Sequence, residues 1–576
     1  MGRKAGSWPG ACVTVTLAVS TWSTAAPIDP PVTHDERPTQ APGTPATARG
    51  PVTPLPAVGT PFAPVQVNTD GNGFNVIGDA ANEPSIAVDP TAPNRIVIGW
   101  RQFDTVASSF RQAGASVSWD GGRTWRQTGP LDAGVFRSDP VLAADTHGAF
   151  YYYSLTDGLL CDLFLSDDGG LTWAGPIPAF GGDKQWFVVD TCADRVVTNV
   201  YAAWRVYAGC CAGATFTRSL DGGATFTPPI EIAGMPNFGT LAIGPDRELY
   251  VCGVGFFDYG DFMVARTNHA FDPATTPEFV QRSSADLGGS LVVGAAVNPA
   301  GLLGQVWIGV DTSSGPNRGN VYLLASTHDA SSVDPMDVQL ARSRDGGVTW
   351  QPPVRVNDDP PAAHAWQWFG TMSVAPDGRL DVIWNDTRDD TAALRSTVYY
   401  TSSSDGGRTF AANRAITLPF EHGVGYPQQS KLGDYYHMVS DRVGAHLAFA
   451  ATFNGEQDVY YLRIGDYDCN DNGLGDAAEI EAGDAADCDG DGVPDACQIA
   501  AGTLPDSDGN GVPDECELPA DLDGSGAVDW FDLLLLLGRW GLCPPTPITC
   551  LGDVDGDGVV GFLDLLTLLE SWSDVP

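Results

Sequence analysis

Ser118-Trp119-Asp120-Gly121-Gly122-Arg123-Thr124-Trp125 is one of five copies of Ser-x-Asp-Gly-Gly-x-Thr-aromatic; the others are Ser166–Trp173, Ser219–Phe226, Ser343–Trp350 and Ser403–Phe410. The copies are spaced by 48, 53, 124 and 60 residues. The long gap is about twice the others, which predicts one unit there that has lost its copy. Each copy follows a short β-rich run such as Val398-Tyr399-Tyr400-Thr401. The paired glycines supply a turn that needs positive φ, and the Asp carboxylate can accept backbone N–H bonds inside it. The aromatic residue is placed to pack between neighbouring sheets.

These segments resemble the Asp boxes of BNR, or sialidase-like, β-propellers, and the resemblance covers roughly residues 65–465. It implies a mainly β fold of four-stranded blades, with the box as a structural hairpin between the third and fourth strands. Further strand pairs fill out the units. Pro84–Val88 and Ile96–Trp100 precede the first box, Pro140–Ala144 and Ala149–Ser154 the second, and Trp186–Val189 and Val200–Trp204 the third. Thr240–Ile243 with Leu249–Val254 form the boxless unit. Leu291–Val297 with Val306–Val310 are read as the strands before the fourth box, and Gly370–Ala375 with Leu380–Trp384 as those before the fifth. Tyr436–Ser440, Ala445–Thr452 and Asp458–Ile464 make a last unit. The expectation is a six- or seven-bladed propeller, with Ala63–Val67 available to close the ring.

Charge narrows the partners. The 576-residue chain has 30 Lys+Arg against 72 Asp+Glu, a net charge of -42. Nucleic acid needs a basic footprint that is missing here, and an anionic membrane surface is disfavoured for the same reason. Residues 1–26 read as a secretory signal: Arg3 and Lys4, a short apolar stretch from Ala11 to Ser20, and the small-residue site Ser23-Thr24-Ala25-Ala26. The mature chain is therefore expected to be secreted and extracellular, with no membrane insertion. Residues 27–64, rich in Pro, Thr and Ala, read as a disordered spacer. Twelve cysteines are compatible with an oxidising compartment. Cys12 leaves with the signal and an odd eleven remain; Cys543 and Cys550 flank a Pro-rich loop and can pair.

Residues 466–576 differ sharply from the rest, with 26 acidic residues and a single basic one, Arg539. Asp521, Asp523, Ser525, Asp529 and Asp532 place oxygen side chains at loop positions 1, 3, 5, 9 and 12, with Gly526 at the sharp turn. Asp553, Asp555, Asp557 and Asp564 repeat the pattern. Such spacing wraps oxygens around one hard Ca²⁺. Each loop enters a Leu-rich helix, Leu533–Leu537 and Leu565–Leu569, so residues 519–576 resemble a dockerin with paired EF-hand loops. That resemblance implies a cohesin-like or cell-surface partner. Trp530-Phe531 and Phe562-Leu563 depart from the small polar residues that dockerins carry before the last ligand. Upstream, residues 466–518 resemble thrombospondin type 3 repeats. Their candidate ligands are Asp468, Asn470, Asn472, Asp476 and Glu479; Asp487, Asp489, Asp491 and Asp495, with Gln498 where an acid is expected; and Asp506, Asp508, Asn510, Asp514 and Glu517.

In sialidases the face opposite the Asp boxes holds the active site. Residues at first-strand starts and second-strand ends belong there: Glu83, Asp139, Lys184, Trp368, Asp434 and Tyr435, with Arg101, Arg205, Asp386 and Arg388. Carboxylates, arginines and aromatics in one funnel suit a sugar or anionic glycan. The resemblance implies a sialidase-type exo-glycosidase, with Glu83, Asp139 or Asp434 moving protons and Tyr435 as nucleophile. Arg101, Arg205 and Arg388 would then clamp a carboxylate, while Lys184, Trp368 and Asp386 complete a binding surface. The family's Arg-Ile-Pro signature is absent. The alternative is a non-catalytic glycan- or protein-binding propeller tethered by its C-terminal module. The two readings separate on geometry: catalysis needs Tyr435 against a carboxylate in an open central pocket, whereas arginines that are all paired speak for binding.

Overall fold

The computed structural model describes residues 40–191, 197–206, 209–425, 430–470, 472–507, 509–514, 516, 520–523, 525, 527–544 and 550–572. The signal segment 1–26, Cys192, Asp508, Glu517 and Gly526 lie outside the described residues.

Six four-stranded antiparallel sheets and one of five strands, in which Phe420–Glu421 also pairs with Arg395–Ser403, form seven blades. The innermost strands are Ala80–Val88, Ser138–Ala144, Trp186–Val189, Leu241–Ile243, Trp307–Val310, Gln367–Val374 and His437–Ser440, for blades 1 to 7. The seventh blade borrows its outermost strand from the N-terminal side: Val65–Gln66 pairs with Tyr461 and Tyr460 of Asp458–Gly465. The ring is thus closed by joining the two ends of the propeller, and the six-bladed alternative falls away.

Five blades carry the box; blade 4 does not, as the doubled gap requires, and neither does blade 7, whose third and fourth strands come from opposite ends of the propeller. In the first box the Ser118 hydroxyl donates to Asp120 at 2.7 Å, while Asp120 accepts from Thr124 N–H at 2.9 Å. Gly121 and Gly122 sit at φ 72° and 94°, where a side chain would be strained. Trp125 reaches across to Tyr461 of blade 7, ring centroids 5.3 Å apart. Trp350 of blade 5 donates its indole N–H to Ser283 of blade 4 at 2.9 Å. The hairpins therefore bolt each blade to its neighbour.

Two expectations need correction. Leu291–Val297 is not the first strand of blade 5: Trp307–Val310 and Val321–Thr327 are the inner pair. The Leu291–Val297 stretch instead feeds a separate small hairpin, Val293–Ala295 with Asn298–Leu302. A short apolar run reads alike in either place, because periodicity cannot tell a core strand from an apolar loop. The second correction concerns the part of 27–64 that is described. From residue 40 it is not a loose spacer: Ala48–Gly50 pairs with Asn75–Ile77, and Ala46 N–H donates to Asp104 O at 2.8 Å.

Beyond the propeller, helices Asp476–Ala482 and Asp495–Ala501 belong to the acidic repeats, and Trp530–Gly538 and Phe562–Glu570 to the last module. The last two helices pack around a small core of Leu522, Val528, Leu536, Val560 and Leu568. The acidic repeats bury little apolar surface and are stapled instead. Cys469 bonds Cys497 and Cys488 bonds Cys516, each across 28 residues. The loops Asp468, Asp487 and Asp506 recur every 19 residues, so each disulfide ties one repeat's loop to the next repeat, at Cys497 in its helix and at Cys516 in a turn. Where the ladder runs out of neighbours, Ala478 and Ser507 stand in the cysteine positions. Cys543 pairs with Cys550 as the sequence allowed, Cys210 pairs with its neighbour Cys211, and Cys161 and Cys252 are free and buried.

Candidate functional site

Where the chain enters the innermost strand of a blade, it makes a kink with positive φ. Glu83 (50°), Asp139 (47°) and Lys184 (55°) hold that kink in blades 1 to 3, and Phe238 (59°) and Phe369 (61°) in blades 4 and 6. Blades 5 and 7 use glycine, Gly304 and Gly433. Non-glycine residues in this region are strained, and they persist where their surroundings over-determine them. Here the surroundings are other charges.

The kinks converge near the propeller axis and form one buried ion network. Glu83 accepts from Arg101 at 3.2 Å and from Lys431 at 3.2 Å. Lys431 also reaches Asp434 at 2.8 Å. Lys184 contacts Asp434 at 2.7 Å, Asp139 at 3.0 Å and Asp183 at 3.1 Å. Arg205 closes the chain on Asp183 at 3.3 Å. Four acids meet four bases, and the Glu83, Arg101, Lys184 and Asp434 side chains have no solvent exposure at all. Burial pushes the Glu83 carboxyl well above its usual range; Arg101 and Lys431 oppose that, while Asp139 and Asp434 add to it.

This face is covered. The hairpin Val293–Leu302 lies on the segment that supplies Lys431 and Asp434. Asn298 Nδ2 donates to Gly433 O at 2.8 Å, and Asn298 Oδ1 accepts from Leu432 N–H at 2.9 Å. Leu302 N–H donates to Asp434 Oδ1 at 2.8 Å. The run that the sequence reading placed in blade 5 is thus part of the cover over the network, and Lys431, absent from the sequence-based site, is one of its central bases. A Lys two residues ahead of a Gly-Asp-Tyr strand entry gives no pattern from which to find it.

The sequence-predicted residues do gather, but not in the arrangement catalysis needs. Glu83, Asp139, Asp434, Arg101, Lys184 and Arg205 are the network itself. Tyr435 is buried, and its hydroxyl donates to Pro140 O at 2.7 Å rather than to a carboxylate. Burial, reinforced by Glu83 and Asp139, holds that phenol well above its usual range, which disfavours a phenolate nucleophile. Arg388 stands apart: it binds Asp386 at 2.8 Å and Asp358 at 2.8 Å, and stacks over Tyr399 at 4.4 Å. Asp386 also accepts the Trp384 indole N–H at 2.7 Å. Trp368, expected at the binding surface, is fully buried and donates to Ser396 Oγ at 3.1 Å. All three clamp arginines are paired, so the open carboxylate clamp of the catalytic reading is not present. The reason is the same throughout: desolvated charges take the nearest opposite charge.

The acidic loops keep the register of the sequence reading. Asp487 accepts from Asp491 N–H at 3.1 Å and from Gly492 N–H at 3.0 Å, and Asp468 and Asp506 do the same one repeat before and after. In the last module Asp532 accepts from Leu522 N–H at 2.7 Å and Asp564 from Val554 N–H at 2.6 Å, folding loop position 12 back to position 2. Ligand oxygens of Asp487, Asp489 and Asp491 lie within 4.8 Å of one another, as do those of Asp521, Asp523 and Asp532, and those of Asp553, Asp555 and Asp557. Asp476 Oδ2, Gln498 Oε1 and Asp553 Oδ1 are buried oxygens without a hydrogen-bond donor among the described residues. Crowded carboxylates with orphaned oxygens fit a hard divalent cation.

With this geometry in hand, the chain is a seven-bladed β-propeller of sialidase-like architecture, mainly β, with a small helical C-terminal part. No family model and no curated protein matches it. Among solved structures, a protein of unknown function from Dyadobacter fermentans shares 14% identity over 71% of this chain and 98% of its own, with a TM-score of 0.41. The NanB sialidase of Streptococcus pneumoniae shares 11% over 72% of this chain and 71% of its own, TM-score 0.34. A polysaccharide lyase family 25 ulvan lyase shares 11% over 70% and 84%, TM-score 0.31. These likenesses concern the fold; what those proteins act on is theirs.

Proposed function

We propose that this is an exported, calcium-binding protein whose propeller binds glycans without hydrolysing them, and whose C-terminal module tethers it to a cohesin-like or cell-surface partner. The observation that carries the non-catalytic reading is the pairing of Arg101, Arg205 and Arg388 with carboxylates while Tyr435 is sealed against Pro140. A covered site with balanced charge has neither a free nucleophile nor a free clamp. Glycan as the ligand class is supported by the sialidase-like architecture and by the presence of a sialidase and an ulvan lyase among the structural neighbours. Calcium is supported by the loop register and the orphaned oxygens, with Asp521, Asp523, Asp532, Asp553, Asp555, Asp557 and Asp564 as its holders in the last module. Bound there, the ion supplies the positive charge these loops lack.

The exo-glycosidase reading retains one supporting observation, three strained ionisable residues converging on the axis. One assay separates the two: release of fluorophore from a sialoside by the mature chain with Ca²⁺ present. The binding reading expects no turnover from a folded, calcium-loaded protein, together with retardation of the chain in polysaccharide affinity electrophoresis. Turnover that disappears in Arg101→Lys and Tyr435→Phe would overturn it.

A further inference from the structure

The propeller has a second axial feature, on the side of the Asp boxes. Each blade's innermost strand is the edge strand of its sheet, so its axial side is not paired into a ladder. The seven edges surround a well of about 370 Å³, a volume typical of small-ligand sites. Its lining contains no Asp, Glu, Lys or Arg, in a chain with 72 acidic and 30 basic residues. Towards the mouth the lining is half-buried, as at Val88, Val188 and Ile243. Its deep end is aromatic: Trp186 and Trp307 meet at 5.1 Å between ring centroids, and His437 stacks on Trp307 at 5.7 Å.

The proton on His437 is fixed by its partners. Ile86 N–H donates to Nδ1 at 3.3 Å, and a backbone amide can only donate, so Nδ1 is the acceptor and Nε2 carries the hydrogen. Ser85 Oγ accepts from Leu142 N–H at 2.9 Å and turns its own proton to His437 Nδ1 at 2.8 Å. Burial depresses this imidazole to about 3, so it stays neutral. Its Nε2–H has no partner among the described residues. Near the mouth, the Ser440 hydroxyl is also buried and unpartnered.

We propose that this axial well is the glycan site of the propeller, taking a neutral sugar ring end-on, with its apolar face on Trp186 and Trp307 and an acceptor oxygen on His437 Nε2–H. The proposal rests on the glycan-binding reading above. A charged sugar is excluded because the well offers no counter-charge against its desolvation. A sugar ring matches the mixed lining: aromatic carbon for its C–H face, His437 Nε2–H and the Ser440 hydroxyl for its hydroxyls.

The test is ligand-observed saturation-transfer NMR on the full calcium-loaded chain, with methyl β-D-glucopyranoside, methyl β-D-galactopyranoside and methyl α-D-mannopyranoside, and with N-acetylneuraminic acid as the charged control. The expected result is saturation of at least one neutral glycoside and none of the acid. His437→Phe should weaken binding on the order of tenfold, the effect of one hydrogen bond in a desolvated site, while His437→Gln, which keeps a donor, should recover most of it. Arg395→Ala, an exposed arginine on the other face, should change nothing. Unchanged saturation in a folded His437→Phe would overturn the site. No saturation of any glycoside by the wild type would also overturn it; polysaccharide retardation would then show whether glycan binding itself survives elsewhere.

Discussion

Two regions of this molecule concentrate acidic residues, and they neutralise them in opposite ways. On the propeller axis Glu83, Asp139, Asp183 and Asp434 are matched one for one by Arg101, Lys184, Lys431 and Arg205, all carried by the chain itself. From residue 466 onward there are 26 acids and one base, so the segment cannot neutralise itself. The difference shows what burial does to charge. A rigid ring of blades can hold each lysine in a fixed place, so internal counter-ions are geometrically available. Short loops of about a dozen residues leave little room for basic side chains, and under the proposed function the positive charge there is an ion.

The largest expected effect would break the comparison at its weaker end. Chelation with EGTA should unfold or loosen residues 466–572 while leaving the propeller intact, read as fast amide exchange confined to those residues. The Cys469–Cys497 and Cys488–Cys516 staples should keep the repeats compact even then, so reduction plus EGTA should go further than either alone. Uniform exchange with and without EGTA would show that the loops need no ion.

Next is Lys184→Met, which strips the network of the base that three carboxylates share. Leaving buried acids uncompensated should cost about 3–5 kcal/mol, read as a lower denaturant midpoint for the propeller. The paired removal Lys184→Met with Asp434→Leu should cost less than the single change. In the acidic loops Asp489→Asn should instead leave propeller stability unchanged and shift only the calcium concentration needed for order.

The smallest effect belongs to the box. Thr349, through its hydroxyl and its backbone N–H, holds the Asp345 carboxyl down to about 2 from an ordinary 3.8. A depressed carboxyl stabilises the folded state above pH 3.8, and that contribution is lost as pH falls towards about 2. Since Asp345 is largely exposed, Asp345→Asn should cost no more than about 1 kcal/mol at pH 7, with the difference from wild type shrinking in acid. A thermal-melt series from pH 7 to pH 2 would show it.

The legible parts of the chain were those written as local patterns. Five boxes carry their turn, cap and interblade aromatic within eight residues, so repetition alone exposed the propeller and its boxless fourth blade. The acidic loops are likewise local, each set of oxygens lying within a dozen positions. Blade 5 was misread because Leu291–Val297 is apolar for a non-strand reason, its place in the cover over the axial network. Lys431 was missed because its partners Glu83 and Asp434 lie on either side of the ring closure, 348 and 3 residues away.

The sequence by itself therefore determined the blade type, the boxless unit, the acidic modules and which polar residues would cluster on one face. Only the tertiary structure decided that there are seven blades closed by Val65–Gln66, that the clustered charges cancel one another, and that Tyr435 is sealed from solvent. A turn or an acidic loop is specified by residues a few positions apart, whose geometry the backbone dictates. An ion network is specified by distances across the ring, and those exist only once every blade is in place.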